Sequence, residues 1–460
     1  MTSAFTARLR SALLGRDDAP LVFLANFDVE EQWGAGALRL SGDAFSRGHA
    51  VVNRMDELVL PLAGPRDCVL LKGPPSPGYL DYLAGLGFTA PRILATRSAD
   101  PEQRVTGSAL ADEELMERLA DLGTAGYHLL PHGTSALEEE LAHRSGIPLA
   151  TPPAAVCARV NSKIYSRRIA DDTGLRQPRG WACDDLGTLR SAATQARAIL
   201  AAGRPVVFKE AYGVSGKGLL VAHDERRLNR ALRMIEQRAG RRGTGEVSLV
   251  IEEWVDKAKD LNYQFTVDRS GGVTFDFVKE AFTEGGVHQG HRLPAGLGRR
   301  QEGQLAAAAA TIGERLAADG YFGVVGVDAL LDPAGELFPM IEINARSNMS
   351  TYQVPLEERF LGPGQIAIAR RYPVHYPGPL AFTDLAAAVR DVLYDPGSGA
   401  GLIMQNFATV NAALPGDDAG SADRRLYAWV VAGSRGALDD IDAAISAALA
   451  KLAVEGTVRT

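Results

Sequence analysis

The sequence predicts a protein of mixed α/β and α+β class, built from two or three domains. Three observations lead to this class. The chain has 460 residues, more than one hydrophobic core normally organises. Its first third alternates short apolar runs with helical patterns, as in a parallel α/β sheet. Its middle part contains pairs of strand-like segments joined by tight turns, as in antiparallel hairpins.

The first domain, 1–150, is predicted from three apolar strands and the helices around them. Leu21 to Ala25 and Cys68 to Leu71 have the continuous apolar character of buried strands, and Ile93 to Ala95 is a weaker third. Leucines from Ala111 to Leu122 recur on one face of a helix. Ser135 stands before a helical stretch with a glutamate three positions on, which predicts a capping box. Together these elements predict an α/β domain.

The second domain, 151–360, begins near a proline pair and is predicted to be α+β with two subdomains. Its predicted helices are Val160 to Thr173, Arg226 to Ala239 and Leu305 to Leu316. Its predicted strands are Pro205 to Phe208, Ser248 to Glu252, Tyr263 to Val267, Val273 to Val278, Gly323 to Leu331 and Leu337 to Ile343.

The last hundred residues, 361–460, are predicted to form a small, separable C-terminal α/β segment. Glycine and proline punctuate the chain before it. Helices are predicted at Asp384 to Leu393 and Leu438 to Ala453, with strands near Gly401 to Met404 and Leu426 to Val431. No role for this segment follows from its sequence.

Composition and charge exclude several classes of protein. Hydrophobic residues make up 46% and charged residues 23%, an ordinary globular mixture. The net charge of 49 − 56 = −7 lacks the basic footprint of a nucleic-acid binder. No apolar run is long enough for a transmembrane helix, and the N-terminus has no secretory apolar core. Three widely spaced cysteines suit reduced thiols, so a cytoplasmic location is expected.

A glycine-rich loop after the strand that ends near Lys209 is the strongest local motif. Glycine allows backbone N–H groups to approach phosphate oxygens closely, while a hydroxyl and a lysine add donors. The loop is not of the Walker A type, because its glycine spacing differs and a strand follows it. Alone, it could equally be a turn between two strands. Its candidate residues are Gly213, Ser215, Gly216, Lys217 and Gly218.

A second candidate nucleotide-binding segment ends the next predicted strand. Glu252 and Glu253 precede an aromatic residue and Val255, and Asp260 follows five residues later. A hinge of this kind can contact an adenine edge through its backbone and hold ribose hydroxyls with the later acid. Taken alone, the pattern is more typical of a solvated strand end.

A predicted hairpin gathers oxygen ligands for a hard cation. Glu342, Asn344 and Arg346 are at alternate positions of one strand, so they share a face. The turn before this strand brings Asp328 beside Glu342. Two carboxylates and an amide oxygen suit Mg²⁺ that bridges nucleotide phosphates.

The ordered set of these motifs resembles the ATP-grasp superfamily of carboxylate–amine ligases. The resemblance covers residues 131 to 350 and includes Lys163, which precedes Lys209 in the order. The first third resembles the pre-ATP-grasp domain that precedes this fold. The segments PHGTSALEEELA and EINARSNMS, with the C-terminal segment, resemble peptide ligases of pheganomycin type.

The resemblance implies a role for each candidate residue. Lys163 and Lys209 would contact the phosphates of ATP, and the glycine loop would close over them. The backbone of Glu252 and Val255 would contact adenine. The other implied roles are ribose binding by Asp260, binding of one or two Mg²⁺ by Asp328, Glu342 and Asn344, stabilisation of the transferring phosphoryl group by Arg346, and binding of an acyl phosphate or substrate carboxylate by Arg292. Many relatives carry glutamate where this chain has Asp328, so metal geometry or number could differ.

The implied activity is ATP-dependent amide formation through an acyl phosphate. An amino-acid-like carboxylate, perhaps with a guanidino group, would be joined to the amine of an amino acid or peptide in specialised metabolism. The expected partners are therefore small molecules, with neither nucleic acid nor membrane, and a homodimer is left open. Two alternatives stay open: an ATP-binding regulatory module without turnover, and an ATP-grasp kinase or carboxylase.

Overall fold

A computed structural model describes residues 3–40, 49–213, 218–242, 245–284, 287–412 and 424–459. Three sheets organise this part of the chain. No helix within these ranges is long and apolar enough to cross a membrane.

The N-terminal part is a parallel sheet surrounded by helices. Its strands lie in the order β3-β2-β1-β4, and all neighbours are parallel. In chain order its elements are α1 (Ala4–Leu14), β1 (Leu21–Leu24), α2 (Val29–Trp33), α3 (His49–Asn53), a 3-10 helix (Arg54–Val59), β2 (Cys68–Leu71), α4 (Pro77–Gly85), β3 (Arg92–Ala95), α5 (Val105–Leu110), α6 (Glu113–Thr124), β4 (His128–Pro131) and α7 (Ala136–Ser145).

The prediction of two buried strands is confirmed for β1 and β2. Every residue of β1 and β2 is buried, which explains why both are unbroken apolar runs. The capping box of α7 is present, because the Ser135 side chain accepts from the backbone and Glu138 bonds back to the N-cap.

The middle of the chain forms a second four-stranded sheet and most of a third sheet. The second sheet has the order β5-β8-β6-β7 and is antiparallel. In chain order the elements are α8 (Ala154–Val160), α9 (Lys163–Thr173), β5 (Gly180–Asp185), α10 (Leu186–Ala201), β6 (Val206–Glu210), β7 (Leu219–Ala222), α11 (Glu225–Arg242), β8 (Glu246–Glu253), β9 (Lys259–Val267), β10 (Val273–Glu284), β11 (Val287–Leu293), α12 (Arg299–Ala318), β12 (Gly323–Leu331) and β13 (Leu337–Asn344).

The C-terminal segment completes the third sheet. That sheet has eight strands in the order β13-β12-β9-β10-β11-β14-β16-β15. The sequence predicted a separable α/β segment for 361–460, but its three strands continue the sheet of the preceding domain instead. In chain order the remaining elements are a 3-10 helix (Thr351–Gln353), α13 (Val354–Phe360), β14 (Ile366–Pro373), α14 (Phe382–Ala388), a 3-10 helix (Arg390–Val392), β15 (Gly401–Asn406), a 3-10 helix (Ala408–Val410), β16 (Arg425–Ala432) and α15 (Arg435–Arg459).

Two differences from the sequence prediction affect the active site. The helix predicted from Val160 to Thr173 begins only at Lys163, because a separate helix, α8, ends at Val160 and Ser162 caps α9 by accepting from the Ile164 N–H. Strands β5 and β11 were not predicted. Only Cys183 of the six residues of β5 is fully buried, and the HQGHR core of β11 has no alternating apolar pattern.

A buried carboxylate, that of Glu57, joins the N-terminal domain to the segment after β15, and buried Asp56 precedes it in the chain. Glu57 Oε2 accepts the backbone N–H groups of Phe407 and Ala408 at 3.0 and 2.7 Å. Burial raises the pKa of Glu57 to about 7 and that of Asp56 to about 6. The folded chain therefore binds these protons more tightly than the unfolded chain does.

The first prediction is that the stability contributed by Glu57 is lost as pH rises from about 4.5 to about 7. Since the pKa of Glu57 is higher in the folded state, its contribution is fully present below the unfolded value and is lost through the folded one. Each unit of pH in that window costs at most about 1.4 kcal/mol per group. Urea unfolding of wild type and Glu57→Gln at pH 5 and 8 measures it. The free energy of unfolding should fall less between pH 5 and pH 8 in the variant than in wild type. An equal fall in both proteins would refute the raised pKa of Glu57.

Candidate active site

The hairpin of β12 and β13 brings the predicted metal ligands together. Asp328 pairs with Glu342 and Gly326 pairs with Asn344, so the two carboxylates and the amide share one face of the sheet. Asn344 Nδ2 donates to Asp328 Oδ2 at 3.3 Å. On the neighbouring strand β9, Asn262 Nδ2 donates to Asp328 Oδ1 at 2.9 Å. Asp328 is thus oriented by two amides and faces a second carboxylate.

The electrostatics of this face suit a divalent cation. Loss of solvent raises the pKa of Asp328 to about 6, and the nearby charge of Glu342 adds to the effect. Adjacent carboxylates with amide oxygens form the hard oxygen donor set that Mg²⁺ prefers. Within the described ranges, no three histidine, cysteine, aspartate or glutamate side chains gather as a self-sufficient metal site. Asp328, Glu342 and Asn344 are the residues that would hold Mg²⁺, which would neutralise negative charge on a bound nucleotide.

Lys163 joins this face to the glycine-rich loop. It occupies the first turn of α9, and its backbone N–H donates to Ala211 O at 3.0 Å. Its Nζ donates to Gly213 O at 2.7 Å and to Glu342 Oε1 at 2.6 Å. One buried ammonium thus lies between the start of the loop and the predicted metal ligands, where a phosphate chain would pass.

The ends of the glycine loop show why glycine is needed. Gly218 has a φ of +78°, and a Cβ there would lie 2.7 Å from the Glu210 carboxyl group. Ser215, Gly216 and Lys217 lie outside the described residues. Before the loop, Lys209 on β6 forms an ion pair with Glu252 on β8. The pair lies on the face of the sheet opposite Phe208, which packs against α10 and α11.

The predicted hinge residues follow the end of β8. Glu252 lies between Gly180 of β5 and Val207 of β6, so its backbone is inside the sheet. Glu253 pairs with Arg204, and Asp260 pairs with Lys257. Val255 follows the strand and is half-buried. Recognition of adenine and ribose by this segment stays a prediction.

Arg346 is fixed beside the metal ligands by bonds on all three of its nitrogens. Nη2 donates to Asn344 Oδ1 at 3.1 Å, and Nη1 donates to Asn348 Oδ1 at 3.3 Å. Nε donates to Glu30 Oε1 at 2.8 Å, and Nη2 also contacts this oxygen. Burial opposes the charge of Arg346, but Glu30, Glu342 and Asp328 raise its pKa overall. A permanent cation therefore lies next to the carboxylate pair.

The N-terminal domain supplies one wall of the site, which the sequence did not predict. Glu30 lies on α2, directly after the first strand of the parallel sheet. From the end of β4, His132 O accepts the N–H of Ser347 at 3.1 Å, and its Nδ1 bonds the Tyr352 hydroxyl at 2.8 Å. Burial holds the pKa of His132 well below its usual value, so this ring is neutral. The loop after β13 thus packs on the N-terminal domain.

Arg292 is not brought to this face. It pairs in register with Glu280, which pairs with Leu261, a core residue packed toward α12. Paired residues of antiparallel strands share a face, so Arg292 lies on the same face of the sheet as Leu261. Asp328 pairs with Asn262, the residue next to Leu261, and therefore lies on the opposite face. Arg292 Nη1 donates to Glu280 Oε1 at 3.2 Å. This placement argues against the predicted contact of Arg292 with an acyl phosphate.

A buried polar network holds Asn262, the residue that donates to Asp328. Ser350 Oγ donates to Asn262 Oδ1 at 2.7 Å, and the Ser350 carbonyl accepts from Lys279 Nζ at 3.3 Å. Lys279 is fully buried on β10 and also pairs with Glu357 of α13. Asn262 therefore orients Asp328 and is itself held in place. In the sequence, the one signal for the orientation of Asn262 is that it lies between two apolar residues of a strand, Leu261 and Tyr263, and so faces away from their core.

The candidate site therefore lies between two antiparallel sheets, and two known families match this part of the chain and the part before it. Residues 55–147 match the Pre ATP-grasp domain family. Residues 164–358 match the family of the carbamoyl-phosphate synthase L chain, ATP binding domain. The predicted resemblance to the ATP-grasp superfamily is confirmed over these residues, so the protein is an enzyme, with ATP and Mg²⁺ as its cofactors.

Two characterised relatives are similar over large parts of the chain. A [butirosin acyl-carrier protein]–L-glutamate ligase of Niallia circulans is 28% identical over 308 residues, 66% of this chain and 67% of that protein. The carbamoyl phosphate synthase large chain of Myxococcus xanthus (strain DK1622) is 24% identical over 235 residues, which are 49% of this chain but 20% of that one.

Solved structures share the fold across most of the chain. The biotin carboxylase domain of 2-oxoglutarate carboxylase from Hydrogenobacter thermophilus, solved with MgADP, superposes with a TM-score of 0.52 at 16% identity. The superposition covers 86% of this chain and 87% of that one. N5-carboxyaminoimidazole synthetase from Staphylococcus aureus gives 0.51 at 12% identity, covering 94% and 98%. At these identities the likeness shows the fold alone.

The second prediction concerns Lys209 and nucleotide affinity. Lys209→Gln should weaken ATP binding about 10- to 100-fold in calorimetry, because a charge-assisted contact to phosphate is lost. It also leaves buried Glu252 without its cation. The double variant Lys209→Gln/Glu252→Gln controls for this, and it should restore stability without restoring affinity. Unchanged ATP affinity in both variants would exclude Lys209 from the nucleotide site.

Proposed function

We propose that the protein forms an amide bond between a carboxylate and an amine, with ATP consumed through an acyl phosphate. The observation that carries this proposal is the placement of Lys163 between Gly213 O and Glu342, with Arg346 bonded to Asn344 on the same face. The start of the glycine-rich loop, the proposed metal ligands and a permanent cation thus lie close together. This is the arrangement that phosphoryl transfer to a carboxylate requires.

The chemistry proceeds in two displacements. A substrate carboxylate oxygen attacks the γ-phosphorus of ATP, the bond to ADP breaks, and an acyl phosphate forms. The amine nitrogen then attacks the acyl carbon, the bond to the phosphate oxygen breaks, and the nitrogen loses a proton. Bound Mg²⁺ would neutralise charge on the phosphates.

The residues of the chain supply positioning and fixed charge in both displacements. Lys163 balances negative charge where the phosphates pass. Arg346 can stabilise the transferring phosphoryl group and later the oxyanion at the acyl carbon, and its three bonded nitrogens pre-organise it for this task. Lys209 is oriented by Glu252 toward the nucleotide side of its sheet.

The substrates are proposed to be an amino-acid-like carboxylate and the amine of an amino acid, a peptide or a carrier-bound group. The Niallia circulans relative, named as a ligase of L-glutamate and an acyl-carrier protein, supports an amino acid as carboxylate donor. The resemblance to pheganomycin-type peptide ligases supports a peptide-forming outcome in specialised metabolism. A guanidino group on the donor and a homodimeric assembly both stay predictions.

The alternatives predict different products. A carboxylase would need bicarbonate, a kinase would release no phosphate, and a regulatory module would bind ATP without turnover. The ordered ligands around Asp328 and Arg346 favour turnover, because buried polar groups in line are costly unless they serve a ligand.

The test is a panel assay with Mg-ATP and mass detection of products. L-Glutamate, other amino acids and guanidino acids serve as donors, with amino acids, short peptides and a carrier-protein thioester as acceptors. ADP and phosphate in equal amounts with a product of the summed mass minus water are expected. ADP release that depends on bicarbonate, phosphorylated product without free phosphate, or ATP binding without any turnover would contradict the proposal.

A further inference from the structure

Glu30 is placed at the active site by the N-terminal domain, yet neither the nucleotide nor the metal requires it. Glu30 lies on helix α2, and Arg346 donates to its Oε1 through Nε and Nη2. The contact joins positions 316 residues apart in the chain. The side chain is 16% exposed, so it is partly accessible to solvent.

The geometry points to Glu30 as the residue that binds the ammonium group of the acceptor amine, an inference that rests on the function proposed above. Both contacts with Arg346 end on Oε1. Within the described part of the chain, no donor reaches Oε2. One oxygen of the carboxylate is thus committed to Arg346, and the other is open to a cation beside it.

The other acids of the same segment are already neutralised. Asp28 and Glu31 both pair with Arg104 of the N-terminal domain, and Glu31 also pairs with His49. Trp33 anchors the end of α2 through a bond from Nε1 to Thr134 O at 2.9 Å. The helix is therefore held in place by its neighbours. Of these three acids, only Glu30 contacts Arg346 in the loop after β13.

The charges of Arg346 and Glu30 are opposite to those of the two groups that react. Arg346 attracts the anionic acyl phosphate, and Glu30, in contact with Arg346, attracts the cationic amine. Two substrates held by adjacent opposite charges are brought close together, and the ammonium gives one proton to water before its nitrogen, now with a free electron pair, attacks the acyl carbon. The acceptor class that this site selects is a primary ammonium, such as the α-amino group of an amino acid or peptide.

The test separates amine binding from the formation of the acyl phosphate. Glu30→Gln removes the negative charge but keeps the shape, and Glu31→Gln is the matched control on the same helix. Two quantities are measured for each protein with a donor and an amine from the panel: the KM for the amine, and positional isotope exchange in ¹⁸O-labelled ATP with the donor alone. The exchange reports acyl-phosphate formation and does not need the amine.

Glu30→Gln should raise the KM for the amine about 10- to 100-fold, the usual effect of losing a charge-assisted hydrogen bond. Isotope exchange should change less than about threefold, and Glu30→Asp should restore part of the affinity. Glu31→Gln should leave both quantities near wild type. An unchanged KM for the amine, with slower exchange, would show that Glu30 only positions Arg346 and would overturn the inference. If wild type exchanged label but formed no amide with any amine, the proposed function would fail instead.

Discussion

Glu342→Gln is expected to lower kcat by about 10³-fold while the protein stays folded. Glu342 faces Asp328 across the hairpin and accepts from Lys163 at 2.6 Å. Replacing its carboxylate removes a charged Mg²⁺ ligand and the partner that holds Lys163, so both sources of positive charge on the phosphates are disturbed. Steady-state ADP release at saturating substrates measures the effect.

Glu336→Gln is the matched control for this variant. Glu336 precedes the same strand, but it pairs with Arg176 at the surface, away from the metal face. Its removal should change kcat less than about twofold, since exposed ion pairs contribute little. If Glu342→Gln kept wild-type kcat at all Mg²⁺ concentrations, the assignment of the metal face would be wrong.

Arg346→Ala is expected to lower kcat by about 10³-fold and to change ATP affinity less than about threefold. Its guanidinium is held by Glu30, Asn344 and Asn348 beside the metal ligands. A fixed cation in this position acts on charge that develops during phosphoryl transfer, which is why the loss should appear in kcat. Kinetics of amide formation and calorimetry with ATP measure the two effects.

Arg292→Ala provides the contrasting arginine. Arg292 pairs with Glu280 on the opposite face of the sheet, so its removal should leave kcat within about threefold of wild type. An increase in KM alone for Arg346→Ala, or a larger loss of kcat for Arg292→Ala, would mean that the two arginines have been assigned the wrong roles.

The metal face could be predicted because it is local in the sequence. Glu342 and Asn344 alternate along one strand, and the tight turn before that strand fixes its register with Asp328. Period and turn chemistry determine such contacts without knowledge of the wider fold.

Contacts between domains could not be predicted in this way. Glu30 lies on a five-residue helix with no pattern that relates it to Arg346. Arg292 was assigned to the site because β11 was not recognised, and a register shift between Phe282 and Thr283 lies in the strand it pairs with. The strands of 361–460 look separable because only their tertiary pairing shows that they extend the third sheet.

Transfer of oxygen from the substrate carboxylate to phosphate tests the central claim most directly. A donor identified in the panel is labelled with ¹⁸O in both carboxylate oxygens, and the phosphate released with each amide is analysed by mass spectrometry. The acyl-phosphate route predicts one ¹⁸O atom in every phosphate formed and none in ADP. Unlabelled phosphate alongside amide product would contradict that route, because the carboxylate oxygen would then never have been bonded to the γ-phosphorus.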